Sequence, residues 1–133
     1  MITIQIPGKP VAKKRPKFFR RGSFVGAYNP QESEEGKWLW YARQQIPCKL
    51  SGPVSIKMQF GMEIPKSVSA KRRAALIGKP HVKKPDLDNM VKFALDCLNG
   101  VAWGDDSSIS QLIAVKLYMA EPETFIFIEG DEQ

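Results

Sequence analysis

The chain has 133 residues, 43% hydrophobic and 26% charged, with a formal net charge of +6 and two cysteines. That length holds one compact core rather than two, so a single domain over 1–133 is expected, and the composition excludes wholesale disorder. No run approaches the roughly 18–20 apolar residues of a membrane span, and the opening MITIQIPGKP lacks a basic-then-apolar signal. Cys48 and Cys97 form neither a disulfide scaffold nor a thiolate metal site, so a cytoplasmic protein with reduced, structural thiols is expected.

Ile2, Ile4 and Ile6 alternate with Thr3 and Gln5, which predicts a strand over 2–6. PGKP at 7–10 ends it, and Pro10 and Pro16 predict a loop through the basic stretch that follows. SFVGAY at 23–28 reads as a short strand or hairpin arm. A helix follows, with Asn29 as N-cap, Pro30 at the first position and Glu32, Glu34 and Glu35 near its positive end. Leu39, Ala42, Ile46 and the Arg43 stem form its packing side, and Pro47 stops it. Val54, Ile56, Met58 and Phe60 alternate through a second strand at 53–62. SVSAKRRAALIG at 67–78 predicts a short helix capped by Ser67 or Ser69 and ended by Gly78. Residues 83–100 predict the next helix, 109–120 a long strand, and TFIFI at 124–128 an edge strand. The pattern predicts an α/β fold, a small mixed β-sheet flanked by helices.

Charge is unevenly spread. Residues 1–31 hold seven Lys or Arg and no acid, residues 66–84 hold seven more, and residues 117–133 hold five acids and no base. Residues 85–106 contain five Asp against Lys92 alone, a local charge of −4, so the remainder carries +10. Basic surface gathers a polyanion and an acidic centre holds a cation, the combination that metal-assisted phosphodiester chemistry needs. The bland reading is a dipolar surface of solvated charge runs. The DNA-binding candidates are Lys13, Lys14, Arg15, Lys17, Arg20 and Arg21, then Lys71, Arg72 and Arg73, then Lys83 and Lys84.

In KKPDLDNMVKFALDCLNG, residues 83–100, Pro85 holds Lys84 out of helical geometry and Asp86 stands where a cap belongs. Leu87, Val91, Ala94, Leu95 and Leu98 form an apolar stripe, and Gly100 follows the end. Asp88, Lys92 and Asp96 recur at four-residue spacing along a neighbouring face. A structural reading has Asp86 capping and Lys92 pairing with Asp88 or Asp96. It leaves Asp105 and Asp106 in VAWGDDSSIS unexplained. A helix start beside a strand start is expected to gather these carboxylates, which repel unless exposed, protonated or bound to a cation. Asp86, Asp88 and Asp106 are the candidate Mg2+ ligands, with Asp105 assisting directly or orienting the loop, and magnesium prefers carboxylate and water oxygens. Lys92 either faces the phosphate or tunes the cluster by ion pairing. Asp96 is expected to hold a nearby side chain or face solvent, and Asn89 to hydrogen-bond an aspartate or a loop. For Trp103, Trp38, Phe18 and Phe19 packing is preferred to base stacking, and His81 is expected in a loop rather than on a metal.

PDLDN, Lys92, Asp96 with Leu98 and Gly100, and the tandem Asp105–Asp106 before a strand together resemble the RusA-type family of Holliday-junction resolvases. The resemblance is strong over about residues 83–109, and the early strand with PGKPVAKKRP extends it more weakly. It implies a bacterial or phage-encoded, magnesium-dependent homodimeric endonuclease that makes paired nicks in four-way DNA junctions. Asp86, Asp88 and Asp106 then occupy the essential acidic positions and Lys92 that of the catalytic lysine. A magnesium nuclease acting on flaps, forks or other branched DNA, and a branched-DNA-binding protein without turnover, are the alternatives.

Overall fold

The computed structural model describes residues 1–132. The chain runs β1 (Ile2–Pro7), β2 (Lys17–Arg21), β3 (Phe24–Tyr28), α1 (Glu32–Gln45), β4 (Leu50–Met62), α2 (Ala70–Leu76), α3 (Leu87–Leu98), a 3-10 turn (Asp106–Ser108), β5 (Ile109–Tyr118) and β6 (Glu123–Glu132). Four strands form one sheet in the order β1-β6-β4-β5, and β2 and β3 form a separate hairpin. Only β4 and β5 pair in parallel; the other neighbours are antiparallel. The mixed α/β architecture expected from the sequence is therefore present.

Register explains the core. Ile4, Ile126 and Met58 align across three strands, as do Ile2, Ile128 and Ile56, and all six are buried. Two helices cover that face of the sheet. Helix α1 supplies Trp38 and Ala42, and α3 supplies Met90, Phe93, Ala94, Cys97 and Leu98. The Trp38 and Phe93 rings meet edge to face, centroids 5.2 Å apart, the arrangement that the aromatic quadrupole favours. Burial pushes the Cys97 thiol up to about 12, so it behaves as a small apolar core group.

Several expectations shift. The segment read as an edge strand is internal: β6 lies between β1 and β4, burying Thr124, Ile126 and Ile128. Its alternating first half enters the core, and residues 129–132 are exposed. The buried face of α3 is rotated from the predicted stripe. Met90 and Phe93 take its centre, while Leu87, Val91 and Leu95 flank it partly exposed. At the start of α1, Gln31 occupies the N-cap position, and the Asn29 Oδ1 instead accepts from the Gln31 N–H at 2.9 Å. The basic stretch read as loop is partly strand, because β2 pairs with β3 through a two-residue Gly22–Ser23 turn. Gly22 has φ +59, as the first central residue of a tight hairpin turn requires. No helix among the described residues is long and apolar enough to cross a membrane.

Parallel strands need a long crossover, and here α2 and α3 provide it. Helix α3 returns antiparallel to β5. At its N-terminal end Lys116, late in β5, donates through Nζ to the carbonyls of Lys83 and Pro85. At its C-terminal end the Leu50 N–H donates to the Ala102 carbonyl at 2.8 Å, beside the start of β4.

Phe93→Ala is expected to cost about 3–5 kcal/mol through lost burial and the cavity left between α1 and the sheet. Denaturant unfolding of the two proteins measures it as a lowered midpoint with an unchanged slope.

Candidate active site and nucleic-acid interface

Asp86 occupies the N-cap position of α3 but makes no side-chain cap; its Oδ1 accepts from Lys84 Nζ at 2.9 Å. Asp88 lies exposed in the first turn, where the helix dipole favours its charge. Lys92 is exposed one turn later and pairs with neither Asp88 nor Asp96, contrary to the ion-pair reading. Such exposed one-turn pairs contribute only about 0.3–0.5 kcal/mol, too little to hold two long side chains in place. Asp96 instead binds Lys13 at 3.1 Å, and Lys13 also lies 4.0 Å from Glu35. Asp96 is thus a fastener between the basic N-terminal segment and α3. Lys13, expected on DNA, has its charge already matched by protein carboxylates. Asn89 contributes its backbone carbonyl, which accepts from the Lys13 N–H at 2.9 Å.

The second acidic pair is built differently. Trp103 is fully buried and its Nε1–H donates to Asp106 Oδ1 at 2.9 Å, fixing that carboxylate. Trp103 therefore packs and positions rather than stacks on a base. The Asp105 Oδ2 accepts from the Ser107 N–H at 3.0 Å and its carbonyl accepts from the Ser108 hydroxyl at 2.7 Å. Hydrogen bonding from Ser107 lowers the Asp105 pKa, so the carboxylate that shapes this turn is held ionised.

The expected gathering of Asp86, Asp88 and Asp106 does not occur within one chain. Asp86 and Asp88 lie at the N-terminal end of α3, and Asp106 lies at the start of β5, beyond the C-terminal end of the same helix. The 12 residues of α3 rise about 18 Å between those ends. Among the described residues no three His, Cys, Asp or Glu side chains converge to hold an ion. A magnesium ion is usually bound by one or two carboxylates plus water and substrate phosphate. The exposed Asp86 and Asp88, and the half-buried Asp106, fit that donor chemistry as two partial sets.

Basic groups lie on the segments that lead to and adjoin the first set. Lys83 and Lys84 precede α3 directly. Helix α2, with Lys71 and Arg72 exposed, joins the end of β4 to a segment held on the end of β5, where the Gly78 N–H donates to the Tyr118 carbonyl at 2.8 Å. Arg73 is half-buried and donates to the Pro65 carbonyl at 3.2 Å. Lys14, Arg15, Lys17, Arg20 and Arg21 are exposed on and beside the β2–β3 hairpin.

Two positioning residues escaped the sequence reading. Lys116 orients the segment that presents Asp86 through its bonds to Lys83 and Pro85. Its signal was parity, since Lys116 shares its sheet face with Ala114 and Tyr118 and aligns with buried Phe60. Buried Gln31 accepts from the Lys14 N–H at 2.8 Å and donates to the Ala12 carbonyl at 2.8 Å, and nothing in its sequence neighbourhood marked it. His81 lies in the loop before α3, as expected, but buried against Tyr118, its Nδ1 without a hydrogen-bond partner. Burial, with the Lys116 and Lys83 cations, lowers its pKa.

The fold and these groups define a small α/β protein with exposed cations on several segments and exposed carboxylates at the start of α3. The chain belongs to the RusA endodeoxyribonuclease family, as the family described as Endodeoxyribonuclease RusA matches residues 7–129. It is also 32% identical over 134 residues to the uncharacterized protein YqaN of Bacillus subtilis (strain 168), covering 96% of this chain and 94% of that protein.

The fold disfavours the protonated form of His81, so the unfolded chain binds the extra proton more readily as pH falls below the ordinary histidine value of 6.5. The stability present above that value is expected to decline from pH 7 toward 5, and His81→Gln to flatten the decline in melting temperature. Lys116→Met is expected to speed amide exchange at residues 83–88 while the sheet amides keep their protection.

Proposed function

We propose that this protein is a magnesium-dependent endonuclease that resolves four-way DNA junctions by paired cleavage, acting as a homodimer. The observation that carries the dimer is the division of the acidic residues between the two ends of α3. One chain holds part of the donor set at each end, and a second copy placed head to tail supplies the missing part to both.

The exposed edge of β5 suits that arrangement. Leu112, Ile113 and Val115 are all more than a third exposed, and β5 ends the sheet. An open, apolar edge strand invites pairing with another strand. Antiparallel pairing of two β5 edges brings the start of one strand, with Asp106, beside the end of the other, where the partner's own α3 begins. Residues 79–81 cover only the last part of this edge, through the Pro80–Leu117 bridge and the Lys116 and Tyr118 backbone bonds.

Asp86, Asp88 and Asp106 would hold the metal, which would supply polarisation of the phosphodiester and a lowered pKa of the attacking water. Asp105 supports Asp106 by fixing the turn. Lys92, without an ion pair among the described residues, turns its ammonium to the scissile phosphate, where it stabilises charge that develops during cleavage. Lys83, Lys84, Lys71, Arg72 and the hairpin cations draw in the backbone and give binding that weakens as salt rises. Two sites in one dimer match a reaction that needs two cuts.

Cleavage of a mobile four-way junction, a flap, a fork and a linear duplex in magnesium tests the substrate. Paired symmetric nicks in the junction are expected, with turnover abolished in Asp88→Asn and reduced about 10²-fold or more in Lys92→Ala while binding persists. Equal cutting of every branched substrate would leave a general branched-DNA nuclease, and junction binding without any nick a binding protein. Mixing inactive Asp88→Asn with inactive Asp106→Asn tests the shared site. A mixed dimer keeps one intact composite site and is expected to recover single nicks, whereas sites confined to one chain give no recovery.

A further inference from the structure

The β2–β3 hairpin projects with large apolar groups in solvent, and its two faces differ. On one face Phe19 packs on Phe24 and Tyr28, ring centroids 6.0 and 6.5 Å away, with the Arg21 guanidinium 5.7 Å from the Phe19 centroid. Gly26 lets the Phe19 ring lie across the partner strand, since a Cβ there would sit 2.5 Å from Phe19 Cζ. That cluster gives a two-stranded ribbon, marginal by itself in water, a core of its own. The opposite face carries Phe18, Arg20, Val25 and Ala27. Phe18 is 75% exposed and Val25 61%, and Phe18 forms no aromatic pair. The packing role expected for Phe18 from sequence therefore does not hold, and nothing in the fold accounts for a large ring left three-quarters exposed on the ribbon.

The setting indicates what covers it. Residues 8–31 contain no acid, so the ribbon presents cations around the ring and favours an anionic partner. Its base is fixed to the acidic helix. Gln31 ties Ala12 and Lys14 to the start of α1, and the Lys13 N–H binds the Asn89 carbonyl one residue beyond Asp88. A ring on such an arm stands next to DNA whose phosphate reaches Asp86 and Asp88. Intact duplex offers no free base face, whereas a branch point interrupts stacking and exposes one.

We propose that Phe18, flanked by Arg20, stacks on an unstacked nucleobase at the branch point and so selects branched DNA over duplex. This proposal rests on the reading of the protein as a branched-DNA nuclease and adds the element that recognises the branch. Aromatic stacking on a base is sequence-tolerant, so the device reads structure and not sequence.

Equilibrium binding of full-length protein to a four-way junction and to a duplex of the same sequence, without magnesium, tests it. Phe18→Ala is expected to weaken junction binding roughly ten-fold and duplex binding less than about two-fold, with Phe18→Tyr keeping the preference. A 5-bromodeoxyuridine at the branch point is expected to crosslink under ultraviolet light to the peptide containing Phe18. Equal weakening on both DNAs, or no weakening, overturns the proposal, as does a change of sedimenting mass in Phe18→Ala without DNA, which assigns the ring to a protein contact. If wild-type protein binds junctions by this ring but cuts none, the nuclease reading fails and the stacking site stands. If it cuts junctions and Phe18→Ala keeps the preference, only the stacking site fails.

Discussion

A parallel strand pair cannot be joined by a tight turn, so the chain leaving β4 must travel back along the sheet before β5 can begin beside it. That return is α3, and its direction follows from the pairing. Its start lies at the end of β5 and its end at the start of β5, each fixed by hydrogen bonds from Lys116 and Leu50. The helix is anchored along its length by Met90, Phe93, Ala94, Cys97 and Leu98, with Trp38 of α1 closing over Phe93. The placement of the three candidate metal ligands then follows. Asp86 and Asp88 are held at one end of a buried rod and Asp106 at the other.

Charge is managed around the same rod. Lys13 spends its charge on Asp96 and Glu35, stitching the basic N-terminal segment across α1 and α3. Gln31, buried between them, satisfies the backbone where that segment turns outward into the hairpin. The outcome is an arm of exposed cations and aromatic rings rooted beside the first acidic set. Asp105 and Trp103 do comparable work at the far end, the one shaping the turn and the other orienting the Asp106 carboxylate. Structural and chemical roles are thus divided among residues that look alike in the sequence.

Much of the fold was legible because its local signals agreed. The alternation of Ile2, Ile4 and Ile6 and of Val54 through Phe60 gave β1 and β4, and Ser69, which accepts from the Arg72 N–H at 3.2 Å, caps α2 as its position suggested. Less legible were features set by neighbours. Residues 124–128 looked like an edge and became internal because β1 adds outside them. Phe18 and Phe19, adjacent and chemically identical, fell on opposite faces of a ribbon whose pairing partner lies across a turn. Spacing left open whether Lys92 faces the phosphate or pairs with Asp88 or Asp96, and Asp96 found Lys13, which lies far away in the chain.

The sequence by itself determined most of the elements, the buried sides of β1 and β4, the motif that places the chain in its family, and the residue types at the site. Periodicity and side-chain chemistry are local properties that need no partner to be read. Only the tertiary structure decided that Asp86 and Asp88 stand apart from Asp106, that Lys116 props the loop before α3, and that Phe18 remains in solvent. Each depends on the parallel pairing of β4 with β5 or on the register of a hairpin, and strand order and register are set by contacts between segments distant in the chain.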